Sequence, residues 1–232
     1  MSRRPILLLQ QVAHEPAALI DERLQAAGFR CVTHLLSRQP PPATCGDYAG
    51  IVIMGGPASA RDDTPAIRGQ LALLTQAIAQ GVPLFGVCLG AQLSAKAAGG
   101  AIILAEQREL GWYPLNPAEA AADDPLFMHL QPKTMVFQWH GESFTLPEQA
   151  VLLARGEAVA RQAFRLGRGQ YGLQFHLEID AALIETWIDH GENERAWLGA
   201  EGIARVRRES PTYLPAAHAL CRRLVDGWAA LL

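Results

Sequence analysis

Strand and helix patterns alternate through the first hundred residues, and that alternation restricts the chain to few architectures. Residues 6–9, 30–35, 50–54 and 83–87 are short apolar runs that read as buried strands. Residues 16–27 follow the first run as a helix, with Leu19, Ile20 and Leu24 on one face and Gly28 as the stop. Thr64-Pro65 is a helix start, a hydroxyl cap with proline at the first helical position. Ile67, Leu71, Leu74 and Ile78 then recur at helical spacing until Gly81. A small-residue helix over 91–98 ends at Gly99-Gly100, and residues 37–47 form a stiff proline-rich connection. Strands joined through helices imply a parallel sheet covered on both faces.

The second half reads differently. Segments 101–104, 112–115, 135–139, 151–154, 163–166 and 171–175 are strand candidates joined by short polar links. They predict a run of strands, partly antiparallel, laid onto the parallel sheet. Asp180 caps a helix carrying Leu183, Ile184, Trp187 and Ile188, and a last helix over 215–230 buries Leu220, Leu224 and Trp228. With no repeat or linker, the 232 residues read as one domain, 1–232.

Composition excludes several functions. Half the residues are hydrophobic and 19% are charged, which argues against disorder. A net charge of −3 argues against nucleic acid or an anionic membrane as partner. The cluster Arg205, Arg207 and Arg208 reads as a solvated helix face, and Lys96, one of two lysines, as a surface helix residue. Behind the charged Met1–Arg4 start, the apolar run is too short for a signal peptide, and no later run could span a membrane. A cytoplasmic protein is expected. Cys31, Cys45, Cys88 and Cys221 are scattered without C-x-x-C spacing, so neither a zinc site nor a disulfide framework is expected.

One of these cysteines stands apart. In Phe85-Gly86-Val87-Cys88-Leu89-Gly90-Ala91-Gln92 an apolar strand runs into a helix, and glycines sit two residues to either side of the thiol. Glycines relieve the crowding of a tight strand-to-helix turn, so the nucleophile projects above the sheet edge while the helix N-terminus favours its thiolate. A buried cysteine between packing glycines is the plain structural alternative. A thiolate needs a base and a group to orient that base. Gln174-Phe175-His176-Leu177-Glu178 supplies both, because residues 176 and 178 of a strand end share one face. Glu178 can then hold one nitrogen of His176 while the other faces the thiol. A lone strand histidine is more often structural; the two segments together point to a triad.

These motifs resemble the class I, triad-type glutamine amidotransferases, whose hallmarks are G-x-C-x-G and a later Q-F-H-x-E. Gly55-Gly56-Pro57 extends the match, and two further segments resemble the stand-alone, GMP-synthase-like branch: Glu109-Leu110-Gly111-Trp112 and Gln138-Trp139-His140-Gly141-Glu142. The resemblance implies an α/β, flavodoxin-like open sheet, mostly parallel, with helices on both faces and additional antiparallel strands. It implies that Cys88 attacks the glutamine side-chain amide to form a γ-glutamyl thioester, with His176 as base and then acid and Glu178 orienting it. Backbone N–H groups of Gly56 and Leu89 would hold the oxyanion. Gln92 would contact the bound glutamine, and His140, Gly141 and Glu142 would border its amino-acid end. His140 is expected to line the pocket without moving a proton. No metal and no organic cofactor is implied.

Two departures bear on function. The family often has proline where Leu177 stands, a position that points off the catalytic face. The segment after Glu178 reads as helices without a phosphate-cradling loop, so the ammonia made here is expected to need a separate synthetase subunit. The alternatives are a γ-glutamyl hydrolase or transferase acting on another small-molecule γ-glutamyl compound, and a catalytically silent regulatory or binding module.

Overall fold

The apolar runs of the first half form β1 (Ile6–Gln10), β2 (Cys31–Leu35), β3 (Gly50–Ile53) and β4 (Leu84–Val87). The structure, a computed structural model, describes residues 4–232; the charged start, Met1 to Arg3, lies outside the described residues. Period-two alternation sorts the strands onto two faces. Ile6, Leu8, Val52, Phe85 and Val87 join one core cluster, whereas Leu7, Leu9, Ile51, Ile53 and Leu84 join another. Helix α1 (Ala18–Ala26) supplies Ile20 and Leu24 to the first cluster, and α2 (Pro65–Ala79) supplies Ile67, Leu73 and Leu74 to the second. The Thr64 cap is formed, its hydroxyl accepting from Ile67 N at 3.2 Å. Helix α3 (Leu89–Ala97) starts two residues earlier than its pattern predicts, directly after Cys88.

Among the described residues nine strands form one sheet, in the order β2-β1-β3-β4-β9-β8-β7-β5-β6. The later strands are β5 (Ile102–Pro117), β6 (Thr134–Phe144), β7 (Val151–Gly156), β8 (Ala163–Leu166) and β9 (Gln170–Leu173). All pairings from β2 through β9 are parallel, and those from β9 to β6 are antiparallel. The antiparallel strands therefore extend the parallel sheet edge to edge and are not laid upon it. The predicted strands 101–104 and 112–115 are one long strand, β5, with a register shift between Leu104 and Glu109. A 3-10 turn, Glu119–Asp123, follows it.

Two helices complete the chain. In α4 (Ala181–His190) the Asp180 side chain caps Leu183 N, and Ile184, Trp187 and Ile188 are buried. The final helix, α5 (Glu192–Ala229), begins far ahead of the predicted 215, is interrupted at Gly199 (φ 62°), and tolerates Pro211 and Pro215 inside it. Arg205, Arg207 and Arg208 lie exposed along it, with Arg207 paired to Glu185 at 2.6 Å. Lys96 is half-buried instead of free on the surface, its Nζ donating to Ala60 O at 2.7 Å.

Strand order explains where the motifs meet. β3, β4 and β9 are neighbours and run parallel, so Gly55-Gly56, Cys88 and the 174–178 segment all leave the same edge of the sheet. In open α/β sheets that carboxyl edge is where ligands bind.

Candidate active site

Cys88 stands between β4 and α3 with φ 51° and ψ −109°, a left-handed conformation that few non-glycine residues adopt. Such strain, on the order of 1–3 kcal/mol, persists only where its surroundings over-determine it. Close packing does so here. A Cβ on Gly90 would lie 2.1 Å from Ile53 O, and one on Gly86 would lie 2.7 Å from Gly90 C. Strand and helix thus approach too closely for any side chain at either position. The elbow predicted from the glycine spacing is present.

His176 faces this thiol from the far side. Its predicted place was a strand end, but β9 stops at Leu173, two residues short of the predicted 175. The chain bends, and His176 makes an isolated antiparallel bridge to Phe137, donating its backbone N–H to Phe137 O at 2.8 Å. Residues 176 and 178 still meet although the strand has ended, with His176 anchored by that bridge. Nδ1 of His176 lies 2.7 Å from Glu178 Oε1, and Glu178 Oε2 accepts from Leu177 N at 2.9 Å, which fixes the carboxylate. The ring packs edge-on against Trp187 at 4.7 Å, and a Cβ at Gly55 would come within 2.9 Å of its Cε1. Burial pushes the His176 pKa down, but the Glu178 charge and hydrogen bonds with Cys88 and Glu178 outweigh it and raise it to about 10. The ring therefore carries a proton at neutral pH.

Gly56 and Leu89 also border the cavity. Leu89 opens α3, where first-turn N–H groups have no acceptor inside the helix. A Cβ on Gly56 would lie 2.5 Å from Gln11 Cβ, so glycine is required there.

The four expected substrate contacts line the cavity too, but most of their polar atoms are committed within the protein. Gln92 Nε2 donates to Glu142 O (3.0 Å) and Gln174 Oε1 (3.2 Å). His140 uses both ring nitrogens: Nδ1 with Glu142 O at 3.0 Å and Nε2 with buried Glu109 Oε2 at 3.0 Å. Gln162 donates to the same carboxylate oxygen at 2.8 Å. Both His140 bonds are to acceptors fixed by the fold, so the ring braces the wall. The Glu142 carboxylate accepts from Ser59 Oγ at 2.8 Å, tethering β6 to the loop after β3. Gly141 passes beside the Arg108 side chain.

Sequence reading missed other cavity residues. Glu15, in the loop after β1, lines the wall near His176. Burial raises its pKa to about 7, with His176 pulling down and Glu178 and Glu194 pushing up. Its only sequence signal is its position just past the carboxyl end of a central strand. Trp187, expected only as a residue of its helix's apolar face, also lines the cavity, and buried Gln174 lies behind the Cys88 sulfur. The cavity measures about 570 Å³. Among the described residues, no cluster of three or more His, Cys, Asp or Glu could hold a metal, and no helix is long and apolar enough to cross a membrane.

Comparison with known proteins bears on the family. The family described as glutamine amidotransferase class-I matches residues 17–186. The glutamine amidotransferase-like protein YfeJ of Salmonella typhimurium is 32% identical over 160 residues, covering 67% of each chain. A glutamine-hydrolysing GMP synthase of Porphyromonas gingivalis is 30% identical over 210 residues; these are 88% of this chain but 40% of that enzyme. A glutamine amidotransferase crystal structure from Methylobacillus flagellatus superposes with a TM-score of 0.92 at 30% identity, over 100% of this chain and 96% of that one. The chain belongs to the class-I glutamine amidotransferase family.

Proposed function

We propose that the protein hydrolyses the side-chain amide of glutamine through a γ-glutamyl thioester on Cys88, releasing ammonia. The observation that carries this reading is a strained, cavity-facing cysteine opposed by a histidine whose far nitrogen is held 2.7 Å from a buried carboxylate. Cys88 sulfur adds to the amide carbon, and the oxyanion forms against the N–H groups of Gly56 and Leu89. His176, already protonated, gives its proton to the departing nitrogen, so ammonia leaves and the thioester remains. A water then loses a proton to His176 and attacks the thioester carbon; glutamate departs and sulfur is restored. Glu178 keeps the ring in place throughout. Gln92 Oε1, which accepts no hydrogen bond found among the described residues, faces the substrate together with the 140–142 backbone.

Ammonia released into water is protonated and lost as a nucleophile, so a separate synthetase subunit docked at the cavity mouth is the proposed recipient. A second reading rests on the cavity. About 570 Å³ is in the range that holds ligands larger than one amino acid. It suits a γ-glutamyl compound, hydrolysed or transferred through the same thioester. One assay separates the readings: purified protein is offered glutamine and a panel of γ-glutamyl amides, and ammonia, amine and glutamate are measured. Preference for glutamine supports the amidotransferase reading. Turnover of a γ-glutamyl amide at least tenfold above glutamine would replace it, and turnover of nothing would leave the binding-module alternative.

A further inference from the structure

Gln174 is wholly buried, and its Nε2 lies 3.7 Å from Cys88 Sγ. Which end of its amide faces the sulfur follows from atoms farther away. The main-chain carbonyl of Glu142 can only accept, so the Gln92 group 3.0 Å from it is NH2. That same NH2 lies 3.2 Å from Gln174, so the Gln174 atom there is its oxygen. The end turned to the sulfur is therefore the Gln174 NH2, a donor. The anchoring carbonyl is itself pinned, because His140 Nδ1 donates to it and Glu109 holds His140 from behind.

Two hydrogen bonds at the sulfur oppose one another. Trp139 O, 4.0 Å away, can only accept, and so serves the neutral thiol. An amide N–H can only donate, and so serves the ionised form.

We infer that Gln174 is a further catalytic residue, its amide N–H held against the Cys88 sulfur as a donor to the thiolate, with Gln92 as the positioning residue that fixes its orientation. This rests on the reading of Cys88 as nucleophile. The other charged groups facing the sulfur are His176, with Glu178 behind it, and Glu15 from the loop after β1. The Glu109–His140 pair lies in the wall formed by β5 and β6. All of these stay in place in the variants below.

The test is alkylation of Cys88 by iodoacetamide, followed by mass spectrometry of the peptide that contains it, in the parent, Gln174→Met and Gln92→Met. Near pH 7 the thiolate fraction sets the rate. Gln174→Met is expected to slow alkylation about tenfold and Gln92→Met a few-fold. At about pH 10.5, where ordinary thiols are ionised, the rates should converge. A cavity or a misplaced loop would leave the gap in place at high pH. Should Gln174→Met fail to fold, Gln92→Met carries the test alone. Rates within twofold of the parent at pH 7, or a gap undiminished at high pH, would overturn the inference. Glutamine turnover by Cys88→Ser is measured separately. Turnover there would sink the nucleophile itself, whereas alkylation reports on the sulfur whatever the substrate.

Discussion

At the residue scale, the site is organised by which groups share protons. His176 is held protonated around neutrality by Glu178 and Cys88 despite full burial. Beside it, burial pushes the Glu15 carboxyl up to about 7. As pH rises through that value Glu15 becomes negative and holds the imidazolium more firmly. A more firmly held imidazolium favours negative charge on the sulfur it faces, so the free enzyme's kcat/KM should rise a few-fold through an inflection near pH 7. Glu15→Gln should flatten that limb while leaving the protein folded. An unchanged inflection in the variant would show that another group is responsible. Cys88, His176 and Glu178, the proposed triad, stand out in the sequence because each sits in a short motif, and the structure brings them to one edge of the sheet. Glu15 does not, since its role depends on which strand ends lie side by side in the sheet, and spacing along the chain carries no record of that order. Gln174 was visible as a residue, but its function depends on an amide orientation set through Gln92 and Glu142.

At the element scale, the strand-to-helix turn around Cys88 exists because β3, β4 and α3 touch through glycine. Gly90→Ala places a methyl group 2.1 Å from Ile53 O, a backbone atom that cannot move without shifting β3. Overpacking of this kind costs on the order of 2 kcal/mol, with a fall in melting temperature of about 5 °C. Activity should fall further than stability, because the displaced turn carries both Cys88 and the Leu89 N–H. A variant with parental melting and parental turnover would contradict the packing argument. First-half elements matched their patterns to within a few residues, since buried strands and capped helices write strong local signals. Errors clustered where solvent blurs the pattern. Residues 105–108 of β5 are largely exposed and polar, which hid the join between two apparent strands. The last helix was expected from 215, yet α5 runs through both Pro211 and Pro215 and is interrupted at Gly199.

At the scale of the whole molecule, the parallel half supplies the thiol and the antiparallel half supplies its setting. Strand β6 reaches back to pair Phe137 with His176, and it carries His140 and Glu142 to the cavity wall. The sheet therefore closes the site from the side that the first hundred residues leave open. A run of short strands was visible in the sequence, but their edge-to-edge continuation of the parallel sheet was not, because pairing partners lie far apart in the chain. The most direct measurement of the chemistry this arrangement supports is capture of the intermediate. Protein mixed with glutamine is quenched in acid within its first turnovers and digested, and the peptides are weighed. The expected result is a γ-glutamyl adduct confined to Cys88, absent in Cys88→Ser, with Cys31, Cys45 and Cys221 unmodified. Release of ammonia and glutamate from glutamine by Cys88→Ser, or an adduct on a different cysteine, would contradict it.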